Sequence, residues 1–190
     1  IPREDIFVTT KVWNSEQGYN RTLKAFEKSQ RRLGLDYVDL YLIHWPVGEH
    51  RKDTWQAMEK IYRERRVRAI GVSNYLISHI DELVEYAEVA PTVNQVEFSP
   101  YLNQQELLKV CRDNDIAVEA YTPLVRGRKK NDPRLVKIAE KYNKTWAQIL
   151  VRWSLQHGVI VLPKSANPDR IKENADVYDF HIEDEDMKIL

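Results

Sequence analysis

The sequence predicts an α/β fold, a (β/α)8 TIM barrel with about six of the eight βα units present. Short runs of β-forming residues alternate with longer helical patterns along all 190 residues. Several short runs are continuously apolar, as in VDLYLIHW and VIVLP, which is typical of parallel strands buried on both faces. No G-x-G-x-x-G follows a predicted strand, and this favours a barrel over a doubly wound dinucleotide-binding sheet.

The predicted elements follow one another without a linker, so we expect a single domain over residues 1–190 that lacks the first βα units of the barrel. Gly34 is expected to end the first helix, and Asp132 and Thr145 are expected to begin later ones. The predicted strands are Ile6–Val12, Tyr37–Trp45, Val67–Ser73, Val93–Phe98, Ala117–Thr122 and Val159–Pro163. The predicted helices are Tyr19–Leu33, Asp53–Glu64, Ile77–Tyr86, Gln105–Asp113, Pro133–Tyr142, Thr145–His157, Pro168 to about Ala175, and one that begins near Asp184.

Composition excludes several classes of protein. Lysine plus arginine and aspartate plus glutamate both number 29, so the balance of charge gives no case for nucleic acid or an anionic membrane surface as a partner. No stretch approaches the roughly 18 apolar residues of a membrane span. The single cysteine, Cys111, rules out a disulfide within the chain, fits a cytoplasmic location and is expected to be a buried thiol. The histidines show no metal-ligand spacing, so no metal site is expected.

Polar residues follow the predicted strands at one end, where barrel enzymes carry their chemistry. Lys11 ends an apolar run, where a lysine would be partly desolvated unless paired, and desolvation would lower its pKa and suit it to acid–base work. His44 ends YLIHW. Taken alone, Lys11 could equally be a surface lysine and His44 a hydrogen-bonded core histidine. The recurrence of polar groups at the same end of five or six strands favours the functional interpretation.

The segment from Lys164 to Asn174 forms a second candidate site. Lys164 and Ser165 lie in a predicted βα loop, and Arg170 lies in the first turns of the following helix. Cationic donors, a hydroxyl and a helix N-terminus together suit a phosphate. On these residues alone, a capped surface helix with ordinary charges is about equally expected.

These residues together resemble the aldo-keto reductases, especially the microbial and protist branch that includes diketogluconate reductases and prostaglandin F synthases. The matching strings span nearly the whole chain in family order: DIFVTTKVWNSEQGY, LGLDYVDLYLIHWPV, VRAIGVSNY, VNQVEFSPYL, EAYTPL and the segment from Lys164 to Asn174. The resemblance implies NADP(H) as cofactor and a small carbonyl compound as substrate. It also implies a protein that is a monomer when complete.

The family has a catalytic tetrad of aspartate, tyrosine, lysine and histidine. By motif, Lys11 resembles the tetrad lysine and His44 the tetrad histidine. No residue of this chain matches the aspartate or the tyrosine, which the family carries upstream of these motifs. Since the sequence also begins without a methionine, we expect a chain that is incomplete at its N-terminus and inactive alone.

The resemblance also implies a cofactor site and a substrate pocket. Ser73, Asn74 and Gln95 correspond to the residues that bind the nicotinamide carboxamide, and Tyr121 to the aromatic residue that stacks on the nicotinamide. The remaining implied residues are Thr122 and Leu124 at the pyrophosphate, Lys164, Ser165 and Arg170 at the 2′-phosphate, Glu173 and Asn174 at the adenine, and Trp13 and Trp45 in the substrate pocket.

Two positions depart from the family pattern. Ser99 precedes Pro100 where the family usually has histidine, and we expect this change to be structural. Val125 stands where the loop usually begins with glycine, and a side chain there could hinder close approach of the backbone to the pyrophosphate.

The predicted function is NADPH-dependent reduction of aldehydes or ketones to alcohols by hydride transfer. The alternatives are a non-catalytic NADP(H)-binding module, like relatives of this fold that regulate ion channels, and an inactive fragment lacking the tetrad aspartate and tyrosine, such as a barrel shortened for folding studies. Retention of Lys11 and His44 favours the enzyme. The missing tetrad residues favour the alternatives.

Overall fold

The computed structural model describes residues 1–190 in full. Its six strands form one sheet in chain order, and all the pairings described are parallel. The strands are β1 (Thr9–Val12), β2 (Val38–Ile43), β3 (Val67–Ser73), β4 (Val93–Glu97), β5 (Ala117–Tyr121) and β6 (Ile160–Leu162). The helices are α1 (Tyr19–Leu33), α2 (Arg51–Arg63), α3 (Ile77–Tyr86), α4 (Gln105–Asp113), α5 (Pro133–Lys141), α6 (Trp146–Gln156), α7 (Pro168–Ala175) and α8 (Asp184–Ile189).

This architecture confirms the predicted α/β class and six of the expected βα strands. β1 and β6 stand first and last in the strand order. β2 is buried along its whole length, as a parallel strand covered on both faces should be.

The prediction of full burial is wrong for the run VIVLP. Val159 is buried, but Ile160 is 49% exposed and Leu162 is 40% exposed. The reason is position, because β6 is an edge strand paired only with β5. The predicted start of the first strand is also too early: Ile6 and Phe7 are exposed, and the strand begins at Thr9.

Local signals place the helix ends well. Gly34 adopts the left-handed conformation, with φ of 65°, and its amide donates to the carbonyl of Gln30. The carboxylate of Asp132 accepts a hydrogen bond from the amide of Arg134, and the hydroxyl of Thr145 accepts one from the amide of Gln148. These three assignments therefore confirm the predicted caps.

The chain divides into two compact units, and the prediction of a single domain stays a prediction. The first unit comprises residues 1–95 and 109–117. Its core includes the fully buried Trp55, Met58 and Tyr41, and it contains the buried thiol of Cys111 that the sequence predicts.

The second unit comprises residues 96–108 and 118–190. Its core centres on Phe98 and Trp153, whose ring centroids lie 5.2 Å apart. α6 packs against α7 and β6 in this unit, and Thr145, the N-cap of α6, contacts Glu173 of α7.

Candidate active site and cofactor pocket

Lys11 lies on β1, one residue before the strand ends, and its side chain is half-buried. Its ammonium group donates a hydrogen bond to the side-chain oxygen of Gln95, a buried residue of β4. The predicted desolvated lysine is therefore also paired, and its charge is held at the end of the sheet.

His44 directly follows β2, and its amide donates to the carbonyl of Val12 at the end of β1. Burial lowers the pKa of the His44 imidazole below its usual value, and the nearby charge of Lys11 lowers it further. The ring nitrogen Nδ1 is buried and makes no hydrogen bond. At neutral pH the imidazole is therefore uncharged.

Ser73 and Asn74 connect these groups at the end of β3. The Ser73 hydroxyl donates to the carbonyl of Gln95 at 2.7 Å. The Asn74 side-chain amide donates to the carbonyl of His44 at 3.0 Å and to the Ser73 hydroxyl at 3.1 Å. Asn74 adopts a left-handed backbone conformation, with φ of 62°, which an asparagine tolerates well. We refer to Lys11, His44, Ser73, Asn74 and Gln95 as the strand-end cluster.

Two tryptophans flank the imidazole of His44. The ring of Trp13 lies 4.8 Å from it and that of Trp45 lies 6.4 Å away, centroid to centroid. Trp13 is 56% exposed and Trp45 is 45% exposed. Gln17, which is fully buried, donates to the backbone carbonyl of Trp45 at 2.7 Å and holds that segment in place. The indoles thus present apolar surface next to the strand-end cluster.

The second unit contains a pocket of about 530 Å³. Its wall includes six of the residues that the sequence assigns to a cofactor: Leu124, Lys164, Ser165, Arg170, Glu173 and Asn174. It also includes Arg126, Gly127, Lys130, Trp146 and Ala147. We refer to this as the cationic pocket, because it gathers two lysines and two arginines.

Tyr121 and Thr122, the other predicted cofactor residues of this unit, do not line the pocket. Tyr121 ends β5 and is half-buried; burial raises the pKa of its phenol, Glu97 raises it further, and Arg126 opposes both. Thr122 begins a turn, since its carbonyl accepts from the amide of Val125 at 3.0 Å.

The loop after β5 has an unusual backbone. Thr122, Val125 and Arg126 all have positive φ, of 54°, 49° and 53°. For a β-branched residue such as valine this conformation is a genuine outlier. The position where the family usually has glycine is therefore one where glycine would be strain-free.

The donor groups of the cationic pocket suit a phosphorylated nucleotide. None of Arg126, Lys130, Lys164 and Arg170 forms an ion pair within the protein, so their donors remain for an anion. The first amides of α7 are less free than the sequence suggests, because those of Asp169 and Arg170 donate to the side chain of Asn167. Side chains, rather than the helix terminus, therefore carry most of the anion-binding capacity.

The sequence profile of the aldo/keto reductase family matches residues 1–190. The chain belongs to the aldo/keto reductase family. Glyoxal reductase of Bacillus subtilis (strain 168) is 54% identical over 187 residues, covering 98% of the chain and 68% of that protein.

Solved structures of the family agree in fold. The aldo-keto reductase MGS-M4, from a deep-sea metagenome library, superposes with a TM-score of 0.96 at 47% identity, covering all of this chain and 71% of that one. The Bombyx mori aldo-keto reductase in complex with NADP gives a TM-score of 0.92 at 37% identity, covering 99% of this chain and 67% of that one. Since these enzymes are (β/α)8 barrels, the predicted TIM-barrel class is confirmed.

Within this aldo/keto reductase chain, sequence reasoning missed part of the pocket wall. Arg126, Lys130 and Trp146 were not assigned, although the first two follow Leu124 in the same loop and could have been found by their charge. Thr145 was identified only as a helix start. Its contact with Glu173, described below, has no signal in the sequence.

The structure shows no group of three or more histidine, cysteine, aspartate or glutamate side chains placed to hold a metal ion. None of its helices has both the length and the apolar character needed to cross a membrane.

Proposed function

We propose that the protein reduces small aldehydes or ketones to alcohols with NADPH. The observation that carries the proposal is the strand-end cluster, in which a lysine, a histidine and three amide or hydroxyl side chains form one connected hydrogen-bonded group. NADPH, when bound, supplies the hydride. The groups of this chain bind and orient the reactants and assist the proton transfer.

Lys11 places a positive charge at the end of β1, fixed by Gln95. A fixed cation stabilises negative charge that develops on the carbonyl oxygen, and it lowers the pKa of a phenol that donates a proton to that oxygen. No residue of the chain matches the motif of the family's tyrosine, so the donor is not assigned here. Lys11 acts on the proton transfer whichever acid serves as the donor.

His44 serves as an uncharged hydrogen-bonding group. Because burial and Lys11 keep its pKa low, the imidazole stays neutral at physiological pH. A neutral imidazole can donate one N–H to the carbonyl oxygen and fix its direction without competing for the proton. Trp13 and Trp45 offer apolar surface for the rest of a small substrate.

The same cluster accounts for carboxamide recognition. By resemblance, Ser73, Asn74 and Gln95 bind the nicotinamide carboxamide, and their hydroxyl and amide groups are of the chemical type that pairs with it. Tyr121, by resemblance, stacks on the nicotinamide ring, and Thr122 and Leu124 approach the pyrophosphate.

In the second unit, we propose that Lys164, Ser165 and Arg170 bind the 2′-phosphate and that Glu173 and Asn174 contact the adenine. The support is the unpaired charge of the cationic pocket and its volume of about 530 Å³. Lys164 and Arg170, two of the four cations of the pocket, suit a phosphate dianion and would distinguish NADPH from NADH.

The test is NADPH oxidation, followed by absorbance, on the protein as its gene encodes it. The panel contains small aldehydes, ketones and dicarbonyls, among them glyoxal, the compound named for the Bacillus subtilis relative. Turnover with at least one carbonyl is expected. Tight NADPH binding with no turnover across the panel would instead support the regulatory module.

Three further properties are proposed with it. The balanced charge and the single buried thiol support a cytoplasmic protein that does not bind nucleic acid. By resemblance we propose a monomer, which size-exclusion chromatography with light scattering would test.

A further inference from the structure

One side chain of the cationic pocket is held by a residue outside it. Glu173, on α7, lines the pocket and is half-buried. Its Oε1 accepts a hydrogen bond of 2.5 Å from the hydroxyl of Thr145. Its Oε2 makes no hydrogen bond within the protein, so it remains available to a ligand.

Thr145 has a second role at the same oxygen. It is the N-cap of α6, and its hydroxyl oxygen accepts from the amide of Gln148 at 3.2 Å while the side chain of Gln148 accepts from the amide of Thr145 at 3.0 Å. Because the cap fixes the oxygen, the hydroxyl proton has a fixed direction, and it points to Glu173. The cap of one helix thus sets the rotamer of a carboxylate on another.

Neighbouring contacts strengthen this junction between α6 and α7. The side chain of Gln148 also donates to the carbonyl of Asp176 at 2.7 Å, and Lys144 forms an ion pair with Asp179 at 2.7 Å. These contacts hold the segment that follows α7, but they do not touch Glu173. Thr145 alone both caps α6 and contacts a residue of the pocket wall, Glu173.

We propose that Thr145 is a positioning residue for the cofactor site: its hydroxyl orients Glu173 so that Oε2 meets the adenine amino group. This rests on the proposed NADPH function. Without the hydroxyl, the Glu173 side chain regains rotamer freedom, and part of the binding energy of the base is lost to ordering it.

The experiment is calorimetric titration with adenosine 2′,5′-bisphosphate, which contains the base and the 2′-phosphate but no nicotinamide. Thr145→Ser, which keeps both hydrogen bonds, should bind like the unaltered protein. Thr145→Ala should bind roughly three- to tenfold more weakly, the range of one ordinary hydrogen bond. Thr145→Asp keeps a capping acceptor but removes the donor and repels Glu173, so it should fold and still bind weakly.

Two controls separate positioning from general loosening of the junction. Lys144→Gln breaks the adjacent ion pair and should leave the affinity unchanged. In a Glu173→Ala background, Thr145→Ala should cost no further affinity, because the residue it orients is gone. Melting temperatures of all variants report the loss of the cap independently.

An equal loss of affinity from Thr145→Ala with and without Glu173 would overturn the proposal, as would a lower melting temperature with unchanged binding. Failure of the unaltered protein to bind the probe would overturn it together with the cofactor assignment. If the probe binds but no carbonyl is reduced, the proposed reductase function fails, while the double-mutant result still decides the role of Thr145.

Discussion

The side chains of Lys11 and Gln95 are joined by a hydrogen bond although β1 and β4, which carry them, are separated by two other strands. In a flat sheet those strands would lie about 14 Å apart, three spacings of roughly 4.8 Å. Lysine and glutamine side chains can meet only if the sheet curls so that both point into its concave side. The contact is therefore direct evidence of barrel-like curvature in the first unit.

In the protein as its gene encodes it, replacing Lys11 by methionine should lower the turnover of carbonyl substrates by about 10²–10⁴-fold, the usual contribution of general acid catalysis. The change removes the charge that assists proton transfer, while the hydroxyl and amide donors of Ser73 and Asn74 remain. NADPH affinity, measured by fluorescence titration, should be nearly unchanged. Lys24→Met, at an exposed position of α1, is the control and should keep full activity. Parallel loss of affinity and rate in Lys11→Met would contradict this role.

Arg170→Ala should weaken NADPH binding by about 1.5–3 kcal/mol, the range for hydrogen bonds to charged groups. NADH binding should change little, because NADH lacks the 2′-phosphate. Lys172→Ala, an exposed position on the same helix that does not line the pocket, should affect neither. If Arg170→Ala weakens NADPH and NADH binding equally in a titration, Arg170 does not bind the 2′-phosphate.

Gly71→Ala should lower the free energy of unfolding by more than about 3 kcal/mol. A Cβ at Gly71, in the middle of β3, would lie 2.6 Å from the carbonyl oxygen of Val93 and 2.9 Å from the Leu42 side chain. Gly34→Ala is the matched control, since a Cβ there meets no atom within 4 Å. Its only cost is about 1 kcal/mol for placing an alanine in the left-handed conformation. Similar urea midpoints for the two variants would mean that β3 and β4 can separate without cost.

Val125→Gly should raise the free energy of unfolding by about 0.5–1 kcal/mol. A left-handed conformation costs an L-residue roughly 1–2 kcal/mol, and the greater freedom of glycine in the unfolded chain offsets part of the gain. Val136→Gly, on the exposed side of α5, should do the opposite and destabilise by roughly 0.3–0.5 kcal/mol, the difference in helix propensity between valine and glycine. If thermal denaturation shows Val125→Gly to be less stable than the unaltered protein, the packing of the valine side chain contributes more than its backbone strain costs.

Stability should fall as the pH drops below about 6.5, the usual pKa of histidine. Burial lowers the pKa of both His44 and His79 in the folded protein, so the unfolded chain binds protons first. The loss begins near the unfolded pKa and ends below the folded one. His44→Gln and His79→Gln should each make urea midpoints less dependent on pH between about 7.5 and 5. If the urea midpoints of both variants depend on pH as strongly as those of the unaltered protein, His44 and His79 are not the source of the loss of stability.

The sequence predicted the order of the helices and strands because that order rests on local information. Each signal acts within one turn or one strand: the apolar runs, the helix N-caps Asp132 and Thr145, and the C-cap Gly34. The structure has all three caps at the predicted residues. Lys11 and His44 were predicted as site residues because each ends a hydrophobic run where polar groups recur, and the structure places both at strand ends. The exposure of Ile160 and Leu162 could not be predicted, because a continuous apolar run is compatible with either a central strand or an edge strand.

What the sequence by itself determined is therefore the fold class and the family, and from the family resemblance it proposed the residues that would carry the chemistry. Only the tertiary structure decided which of those side chains meet. Lys11 and Gln95 are 84 residues apart in sequence, and Thr145 and Glu173 are 28 apart. Such contacts depend on how strongly the sheet curls and on how one helix packs against another, and these follow from the packing of many side chains together. A local sequence pattern therefore cannot predict which distant side chains meet.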